Sequence, residues 1–275
     1  MKIAVTCEVE YLGKPQQARS VINQDYLDYV IAGGGIPFVV THMSSADDIA
    51  DEMDGLLLTG GKDINPLLQG EDLQTHGSQS CNLVRDVFER DLYKAFVRRG
   101  KPVFGICRGF QVIGIVNRLV LMQDIQCYHK EIHIQHQQRS VEIDGINPVH
   151  VMMNRKLIKH LIGGITTVNS FHHQGFFIKG QTSAKGFYNQ DPSVLGWSRS
   201  RDKGKVLEAL ILHVSSVPEN EHLDTIVGGV QYHPERLIRS GKNVERHLKL
   251  FQYVMGIAGR DIDSRYNPFH QQQTA

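Results

Sequence analysis

The chain has 275 residues, of which 41% are hydrophobic, and its 30 Lys and Arg residues nearly balance its 29 Asp and Glu residues. A formal net charge of +1 gives no electrostatic reason to expect a nucleic acid or an anionic membrane as partner. The sequence contains no apolar run near the ~20 residues of a membrane span. Its four cysteines form no CxxC pair, which favours reduced thiols in a cytoplasmic protein.

The first third of the chain alternates between strand-like and helix-like segments. The predicted strands cover 3–7, 36–40, 55–59 and 102–106, and the predicted helices cover 23–32, 46–53 and 83–99. This alternation is typical of a parallel sheet with helices on both faces.

The pattern changes after residue 124. Strands are predicted at 131–143, 165–168, 176–178 and 225–232, a hairpin joins 194–199 to 206–214, and an amphipathic helix covers 243–257. We predict an α/β fold with a mostly parallel central sheet, helices on both faces and small antiparallel additions. One domain is expected over 1–260, followed by a weakly ordered tail over 261–275.

The segment Gly105-Ile106-Cys107-Arg108-Gly109 places a cysteine between two glycines, directly after a predicted strand. This spacing is typical of a nucleophile elbow, in which the chain turns sharply from strand to helix. Residues two before and two after the nucleophile approach each other closely there, and glycine relieves the clash. The helix N-terminus favours the thiolate. By itself the pentapeptide fits a buried structural cysteine equally well.

A cysteine nucleophile needs a base, and the base needs a group that orients it. His233 stands at the end of a predicted strand, and Glu235 follows closely enough to reach back to the imidazole. Gly60 and Gly61 end another strand, and one of their N–H groups can form an oxyanion hole with the N–H of Arg108. Each motif alone has an ordinary structural explanation, but together they predict an amidase site.

Three longer stretches resemble class I glutamine amidotransferase-type enzymes: 105–111 (GICRGFQ), 231–235 (QYHPE) and 58–66 (LTGGKDINP). Within these enzymes the chain resembles the γ-glutamyl hydrolase branch, which includes γ-glutamyl-γ-aminobutyrate hydrolases. The further similar segments are 85–89, 123–125, 168–174 and 208–209. The matches occur in family order and cover nearly the whole chain.

The resemblance implies a flavodoxin-like class I glutamine amidotransferase fold with a Cys-His-Glu triad. Carried over by position, Cys107 is the nucleophile, His233 is the base and later the acid, and Glu235 is the orienter. Gly61 or Gly60, together with Arg108, would supply the oxyanion N–H groups. The residues expected to bind the substrate are Gln111, Ser170, His172 and His173.

The expected reaction is hydrolysis of the γ-glutamyl amide bond of a small molecule, through a thioester, to release glutamate and an amine. Two alternatives stay open: a glutaminase subunit that supplies ammonia to a separate synthetase, and a non-catalytic binding protein on the same fold. We predict no cofactor, no metal, and neither nucleic acid nor membrane as partner. The leaving amine is not specified, and a homodimer is compatible with the sequence.

Residues 114–120 depart from the family's usual pattern, which has an Asn after Gln111 and then a Gly-Gly-Thr-Leu run. Asn117 is suited to a left-handed helix end. Arg118 replaces a small residue, so we expect the packing beneath the nucleophile helix, and with it the pocket shape, to differ. Asp63, which follows the Gly-Gly turn, is interpreted first as an Asx residue that stabilises the turn, and the alternative is that it helps to shape the site.

A metal site at Cys127, His129, His133 and His136 is not predicted. The spacing of His133 and His136 has some likeness to a ligand pair, but residues three apart on a strand point to opposite faces.

Overall fold

The computed structural model describes residues 1–13, 17–72, 81–125, 150–154, 161, 165–178, 195–199, 205–216, 223–238 and 244–257. The strands predicted over 131–143, the tail after residue 260 and the four residues Cys127, His129, His133 and His136 lie outside this part of the chain.

The described elements follow the predicted alternation. The strands are β1 Lys2–Thr6, β2 Glu8–Leu12, β3 Gln17–Val21, β4 Ile36–Val40, β5 Gly55–Leu58, β6 Val103–Ile106, β7 His150–Asn154, β8 Ile165–Val168, β9 Phe177–Ile178, β10 Leu195–Arg199, β11 Lys205–Ser216 and β12 Leu223–Val230. The helices are α1 Gln24–Ala32, α2 Ala46–Glu52, α3 Leu83–Arg98, α4 Arg108–Val116, α5 Pro234–Ile238 and α6 Val244–Met255, and a 3₁₀ turn spans Pro66–Gln69.

Polar caps mark where three of the helices begin. The side chains of Asn23, Ser45 and Asn82 accept hydrogen bonds from backbone N–H groups in the first turns of α1, α2 and α3. Each cap satisfies one of the N–H groups that has no acceptor within its helix. The helix α4 begins without a side-chain cap, because Cys107 occupies the capping position.

The main sheet has the order β4-β1-β5-β6-β12-β11-β10-β7-β8, and β9 also pairs with β11. The pairs from β4 to β12 are parallel, and the pairs beyond β12 are antiparallel. The predicted hairpin is present as β10 and β11. These pairings confirm the predicted α/β class with antiparallel additions.

The two faces of the parallel strands pack against different helices. Ile3 and Val5 belong to the cluster that includes α1 and α6, while Ala4 belongs to the cluster that includes α2, α3 and α4. Because both faces are covered, a strand such as Leu56–Leu58 is apolar at every position rather than alternating. None of the helices in the described ranges combines the length and apolar character needed to cross a membrane.

A second, two-stranded antiparallel sheet pairs β2 with β3, and the sequence reading missed it. Its signal was the short alternation Glu8-Val9-Glu10, in which Val9 is buried and the two glutamates are only partly buried. This small sheet follows directly from β1, and it brings Glu8 towards the main sheet's carboxyl edge.

The end of α4 differs from the prediction for Asn117. Asn117 has φ −90° and ψ 22°, and the left-handed residue is Arg118, with φ 65°. The prediction was wrong because the Asn117 side chain has another use: its Nδ2 donates to the Tyr93 hydroxyl at 2.8 Å and to the Ile113 carbonyl at 2.8 Å. That contact ties the end of α4 to α3.

Candidate active site

Cys107 lies at the sharp turn between β6 and α4. Its φ of 52° and ψ of −105° are strained for a residue with a side chain. Its N–H donates to the Val230 carbonyl at 2.8 Å. An ideal Cβ at Gly105 would lie 2.5 Å from the carbonyl carbon of Gly109, so the two glycines have the close approach expected of an elbow.

His233 reaches the same edge of the sheet because β6 and β12 are parallel neighbours. Ile106 pairs with Val230, so both strands end side by side, and His233 follows three residues later. Asn169 fixes the backbone of His233: its Oδ1 accepts from the His233 N–H at 2.8 Å, and its Nδ2 donates to the His233 carbonyl at 2.9 Å. Asn169 had no assigned role in the sequence reading.

The imidazole of His233 lies between a thiol and a carboxylate. Its Nδ1 is 2.6 Å from Glu235 Oε1, and Cys107 interacts with the same ring. Burial disfavours the charged imidazolium, but the charges of Glu235 and Cys107 outweigh it and raise the pKa of His233 to about 10. Since Nδ1 is hydrogen-bonded to Glu235, Nε2 is the ring nitrogen that is available to interact with Cys107.

Aromatic and cationic neighbours hold this imidazole from outside. The ring of Phe171 meets that of His233 edge to face, with centroids 5.6 Å apart. The guanidinium of Arg236 stacks 4.3 Å above Phe171. These contacts restrict rotation of the base without using its ring nitrogens.

A cavity of about 560 Å³ opens above Cys107. Its volume suits a small-molecule ligand. The residues proposed from the sequence that line it are Cys107, His233, Gly60, Gly61, Arg108, Gln111, His172 and His173. Ser170 is fully buried and is not part of the cavity lining, so its expected contact with substrate has no support in this geometry.

Hydrogen bonds connect three glutamines beside the thiol. Gln111 Nε2 donates to the Gln174 carbonyl at 3.2 Å and to Gln231 Oε1 at 3.3 Å. Gln231 Nε2 in turn lies 3.8 Å from Cys107 Sγ. Gln231 and Gln174 lie within the family-like segments 231–235 and 168–174, but no role was predicted for either residue from the sequence.

Asp63 and His173, which both line the cavity, form a hydrogen bond with each other. Asp63 Oδ2 is 2.8 Å from His173 Nε2, and this hydrogen bond, opposed by partial burial, raises the pKa of His173. The carboxylate of Asp63 therefore engages a side chain of the site, which favours the alternative interpretation that Asp63 helps to shape the site. His172 is oriented by a separate hydrogen bond, in which its Nδ1 lies 2.8 Å from the carbonyl oxygen of Gln174.

The Gly-Gly turn was expected to supply one oxyanion donor, from either Gly61 or Gly60. The N–H of Gly60 donates to the Tyr26 hydroxyl at 3.1 Å, so this group is already engaged. An ideal Cβ at Gly60 would lie 2.5 Å from the Tyr26 hydroxyl, 3.0 Å from His233 Cε1 and 3.5 Å from Cys107 Cβ. A side chain at position 60 would therefore clash with the Tyr26 hydroxyl and crowd the His233 imidazole, and glycine avoids both contacts.

A buried cluster of charges lies beneath the turn and the elbow. Arg108 directs its guanidinium away from the cavity centre, to the carboxylates of Asp86 and Glu89. Glu89 also pairs with Arg85 at 2.8 Å. Burial disfavours the charge of Arg108, but these carboxylates outweigh burial and raise its pKa. The sequence reading included 85–89 only as a family-like segment.

Comparison with known protein families shows the family of this chain. Residues 3–235 match the Peptidase C26 family, and the chain belongs to that family. Together with the α/β fold, this membership identifies the protein as a cysteine-type amidohydrolase or amidotransferase.

Individual relatives are similar at modest identity. A protein of Schizosaccharomyces pombe, named provisionally as a glutamine amidotransferase, is 27% identical over 236 residues, covering 85% of this chain and 81% of that one. The γ-glutamyl-γ-aminobutyrate hydrolase PuuD of Escherichia coli K12 is 27% identical over 124 residues, covering 42% of this chain and 48% of its own length. A chain of the structure of PurLQS from Thermotoga maritima shares the fold, with a TM-score of 0.50, 16% identity, and coverage of 93% of this chain and 97% of that one.

Proposed function

We propose that the protein hydrolyses the γ-glutamyl amide bond of a small molecule, with Cys107, His233 and Glu235 as its catalytic triad. The observation that carries the proposal is the position of the His233 imidazole. It contacts the Glu235 carboxylate at 2.6 Å on one side and interacts on the other with a cysteine at an elbow. A nucleophile, a base and an orienting group in this order define nucleophilic catalysis of acyl transfer.

Acylation begins from the thiolate and imidazolium pair, which the raised pKa of His233 favours. Cys107 Sγ attacks the γ-carbonyl carbon, a C–S bond forms, and the carbonyl π electrons move to oxygen. When this oxyanion collapses, the C–N bond breaks and the proton on His233 Nε2 passes to the leaving nitrogen. The products of this half-reaction are a free amine, a γ-glutamyl thioester and a neutral imidazole.

Deacylation returns the pair to its starting state. Neutral His233 takes a proton from water while the water oxygen attacks the thioester carbon. Collapse of the second tetrahedral intermediate breaks the C–S bond, which regenerates the thiolate beside the imidazolium. Glu235 stays ionised throughout and holds Nδ1–H, so it fixes the tautomer and stabilises the imidazolium.

The oxyanion is stabilised by two backbone N–H groups, those of Arg108 and Gly61. Arg108 is the first residue of α4, so its N–H has no acceptor four residues earlier in the helix. Gly61 lines the cavity next to the turn, whereas the N–H of Gly60 is engaged by Tyr26. Each such donor contributes about 3 kcal/mol of transition-state stabilisation.

The γ-glutamyl group is bound by polar side chains that line the cavity. Gln111 is held in place by its two hydrogen bonds, and the imidazole of His173 is held by its hydrogen bond to Asp63. Amide and imidazole groups of this kind suit the α-carboxylate and the carbonyl of a glutamyl substrate. His172 and His173 keep the substrate-binding role that the resemblance implies.

A glutaminase that supplies ammonia to a separate synthetase uses the same chemistry. The observation that favours it is the name of the Schizosaccharomyces pombe relative, which covers most of both chains. The partial match to a γ-glutamyl-γ-aminobutyrate hydrolase favours the stand-alone hydrolase. Glutamine turnover that appears only when a synthetase is added would select the glutaminase.

The test is a hydrolysis screen over glutamine and γ-glutamyl amides of simple amines, amino acids and polyamines, with released glutamate as the readout. We expect turnover of at least one γ-glutamyl amide without any partner. Cys107→Ala should reduce that turnover by a factor of about 10⁴ or more while the melting temperature stays close to that of the wild type. Glutamate release by Cys107→Ala at the wild-type rate would refute the proposal.

A further inference from the structure

The loop 59–65 is held at both ends by one helix that takes no part in the proposed chemistry. This loop carries Gly61, whose N–H belongs to the proposed oxyanion hole, and Asp63, which contacts His173. Two consecutive residues of α3, Arg85 and Asp86, supply its anchors. Both of these residues are buried almost completely.

Arg85 holds the first end of the loop. Its Nη2 donates to the Thr59 hydroxyl at 2.9 Å and to the Gly60 carbonyl at 3.0 Å. An ideal Cβ at Gly61 would overlap Arg85 Nη1 and lie 2.7 Å from Glu8 Oε2, with which Arg85 pairs at 2.5 Å. The guanidinium therefore fills the space that a side chain at position 61 would need, directly behind the proposed donor.

Asp86 holds the other end and connects it to the nucleophile helix. Its Oδ2 accepts from the backbone N–H of Asn65 at 2.9 Å. Its Oδ1 accepts from the guanidinium of Arg108, the first residue of α4. One carboxylate thus joins the end of the loop to the residue whose backbone N–H is the second proposed oxyanion donor.

Glu89 completes the connection one turn further along α3. Its Oε1 accepts from Arg85 Nε at 2.8 Å, and its Oε2 accepts from Arg108 Nη1. The two guanidinium groups are planar forks, so each fixes both the distance and the orientation of what it binds. The loop and the start of α4 are consequently linked through one rigid helix.

We infer that Arg85 and Asp86 are positioning residues that set the spacing between the two proposed oxyanion donors, Gly61 N–H and Arg108 N–H. The inference rests on the proposed function for its catalytic consequence. An oxyanion hole stabilises the transition state only when its donors are already in place, and displacement by about 1 Å can cost a factor of about 10² in rate. Neither residue is among those that line the cavity.

The first experiment compares Arg85→Lys with Arg90→Lys. Both substitutions keep the positive charge on α3, but Arg90 lies near the surface and pairs only with its neighbour Asp91 among the contacts described. For Arg85→Lys we expect kcat for γ-glutamyl amide hydrolysis to fall by a factor of about 10–100, with KM within about twofold of the wild type. Arg90→Lys should leave both constants unchanged.

A second readout separates positioning of the oxyanion donors from activation of the thiol. Alkylation of Cys107 by iodoacetamide needs the thiolate but forms no oxyanion. Arg85→Lys should therefore be alkylated at a rate within about twofold of the wild type, although it hydrolyses amides slowly. A fall in alkylation that parallels the fall in kcat would overturn the inference, and so would an unchanged kcat.

A third readout needs no substrate, so it distinguishes failure of the inference from failure of the proposed function. Backbone hydrogen exchange across residues 59–65 should accelerate in Arg85→Lys and not in Arg90→Lys. If wild-type protein hydrolyses no γ-glutamyl amide, the proposed function fails, while this exchange still tests the anchoring. Equal exchange in the two variants would overturn the inference.

Asp86→Asn, matched with Asp91→Asn, covers the case in which Arg85→Lys does not fold. The amide introduced by Asp86→Asn would retain an oxygen for the Asn65 N–H but would lose the charge that binds Arg108. The same pattern is expected for this pair: lower kcat, unchanged KM and alkylation, and faster exchange at the end of the loop near Asn65. Wild-type kcat and exchange in Asp86→Asn would overturn the inference.

Discussion

Two buried clusters of charge lie on either side of the elbow, and they use their hydrogen-bonding capacity differently. In the cluster beneath the elbow, Arg85 donates to five oxygens and Glu89 accepts with both of its oxygens. In the cluster of the proposed triad, Glu235 Oε1 binds His233 at 2.6 Å, while the buried Oε2 has no hydrogen-bond partner among the described residues. Arg85 and Glu89 are therefore saturated, although Oε1 of the neighbouring Glu8 has no hydrogen-bond partner among the described residues, whereas Glu235 is not saturated.

The difference shows what each cluster can do. A saturated network of buried charges has one favourable arrangement, so it fixes the backbone segments that it joins. Only one of the two ring nitrogens of His233, Nδ1, is bound by a carboxylate, and the other faces a thiol at a strained turn. A proton can therefore move there without breaking the supporting contacts, which is what acid–base catalysis requires.

Glu235→Gln is the change with the largest expected effect, because it removes the charge that keeps His233 protonated. We expect kcat to fall by a factor of about 10²–10⁴ with little change in KM. The alkylation rate of Cys107 at about pH 7 should also fall, since the pKa of His233 drops and the thiolate loses its imidazolium partner. Glu245→Gln, at an exposed position on α6, is the matched control.

Glu235→Gln should also change the way in which the free energy of unfolding depends on pH. The pKa of His233 is about 10 in the folded protein, against about 6.5 for an unperturbed histidine. Ionisation of His233 therefore stabilises the fold fully below about pH 6.5, and this contribution is lost as the pH rises through about 10. Urea unfolding should show the gap between wild type and Glu235→Gln shrinking over that interval; a gap independent of pH would contradict the assignment.

Glu89→Gln tests the saturated cluster by stability rather than by rate. It leaves two buried guanidinium groups sharing an uncharged partner, and we expect the free energy of unfolding to fall by about 3–5 kcal/mol at neutral pH. Burial disfavours the Glu89 carboxylate, but the two guanidinium groups outweigh it and lower its pKa. The difference in free energy of unfolding between the wild type and Glu89→Gln should therefore become smaller in acid, because Glu89 of the wild type is protonated there. A loss no larger than that of Glu245→Gln would count against the network.

The smallest effect is expected for Arg99→Gln, which breaks an ion pair at the surface. Arg99 pairs with Asp47 and Asp51, both at 2.7 Å, and both of these carboxylates are more than half exposed. Water and salt screen such pairs, so the melting temperature should stay within about 2 °C of the wild type. A shift as large as that of Glu89→Gln would show that burial is not what separates the two kinds of pair.

Local patterns were sufficient to predict the parallel strands, their helices and the elbow. Apolar runs, caps and glycines within a few residues of each other specify these elements, and Gly105 and Gly109 approach as closely as expected. The prediction for Asn117 failed because the Tyr93 hydroxyl, on another helix, binds its side chain. The sheet of β2 and β3 was missed because its alternating pattern is only a few residues long.

Contacts from distant segments also bear on the roles predicted for Gly60, the alternative to Gly61, and for Ser170. The residue types suited an oxyanion donor and a substrate contact, but Tyr26 engages the N–H of Gly60, and Ser170 lies outside the cavity lining. Motif position specifies which strand end carries a residue. Motif position does not specify which side chain from elsewhere in the chain contacts that residue.

The sequence by itself determined the elbow, the histidine and glutamate after the last parallel strand, and the α/β class, because each depends on neighbours along the chain. Only the tertiary structure decided how the charges around Cys107 are shared. Arg108 follows the cysteine directly, yet its guanidinium is bound by α3 residues about twenty positions earlier. Such partners are chosen by packing of distant segments, which brings buried charges together because an unpaired charge in the interior is too costly.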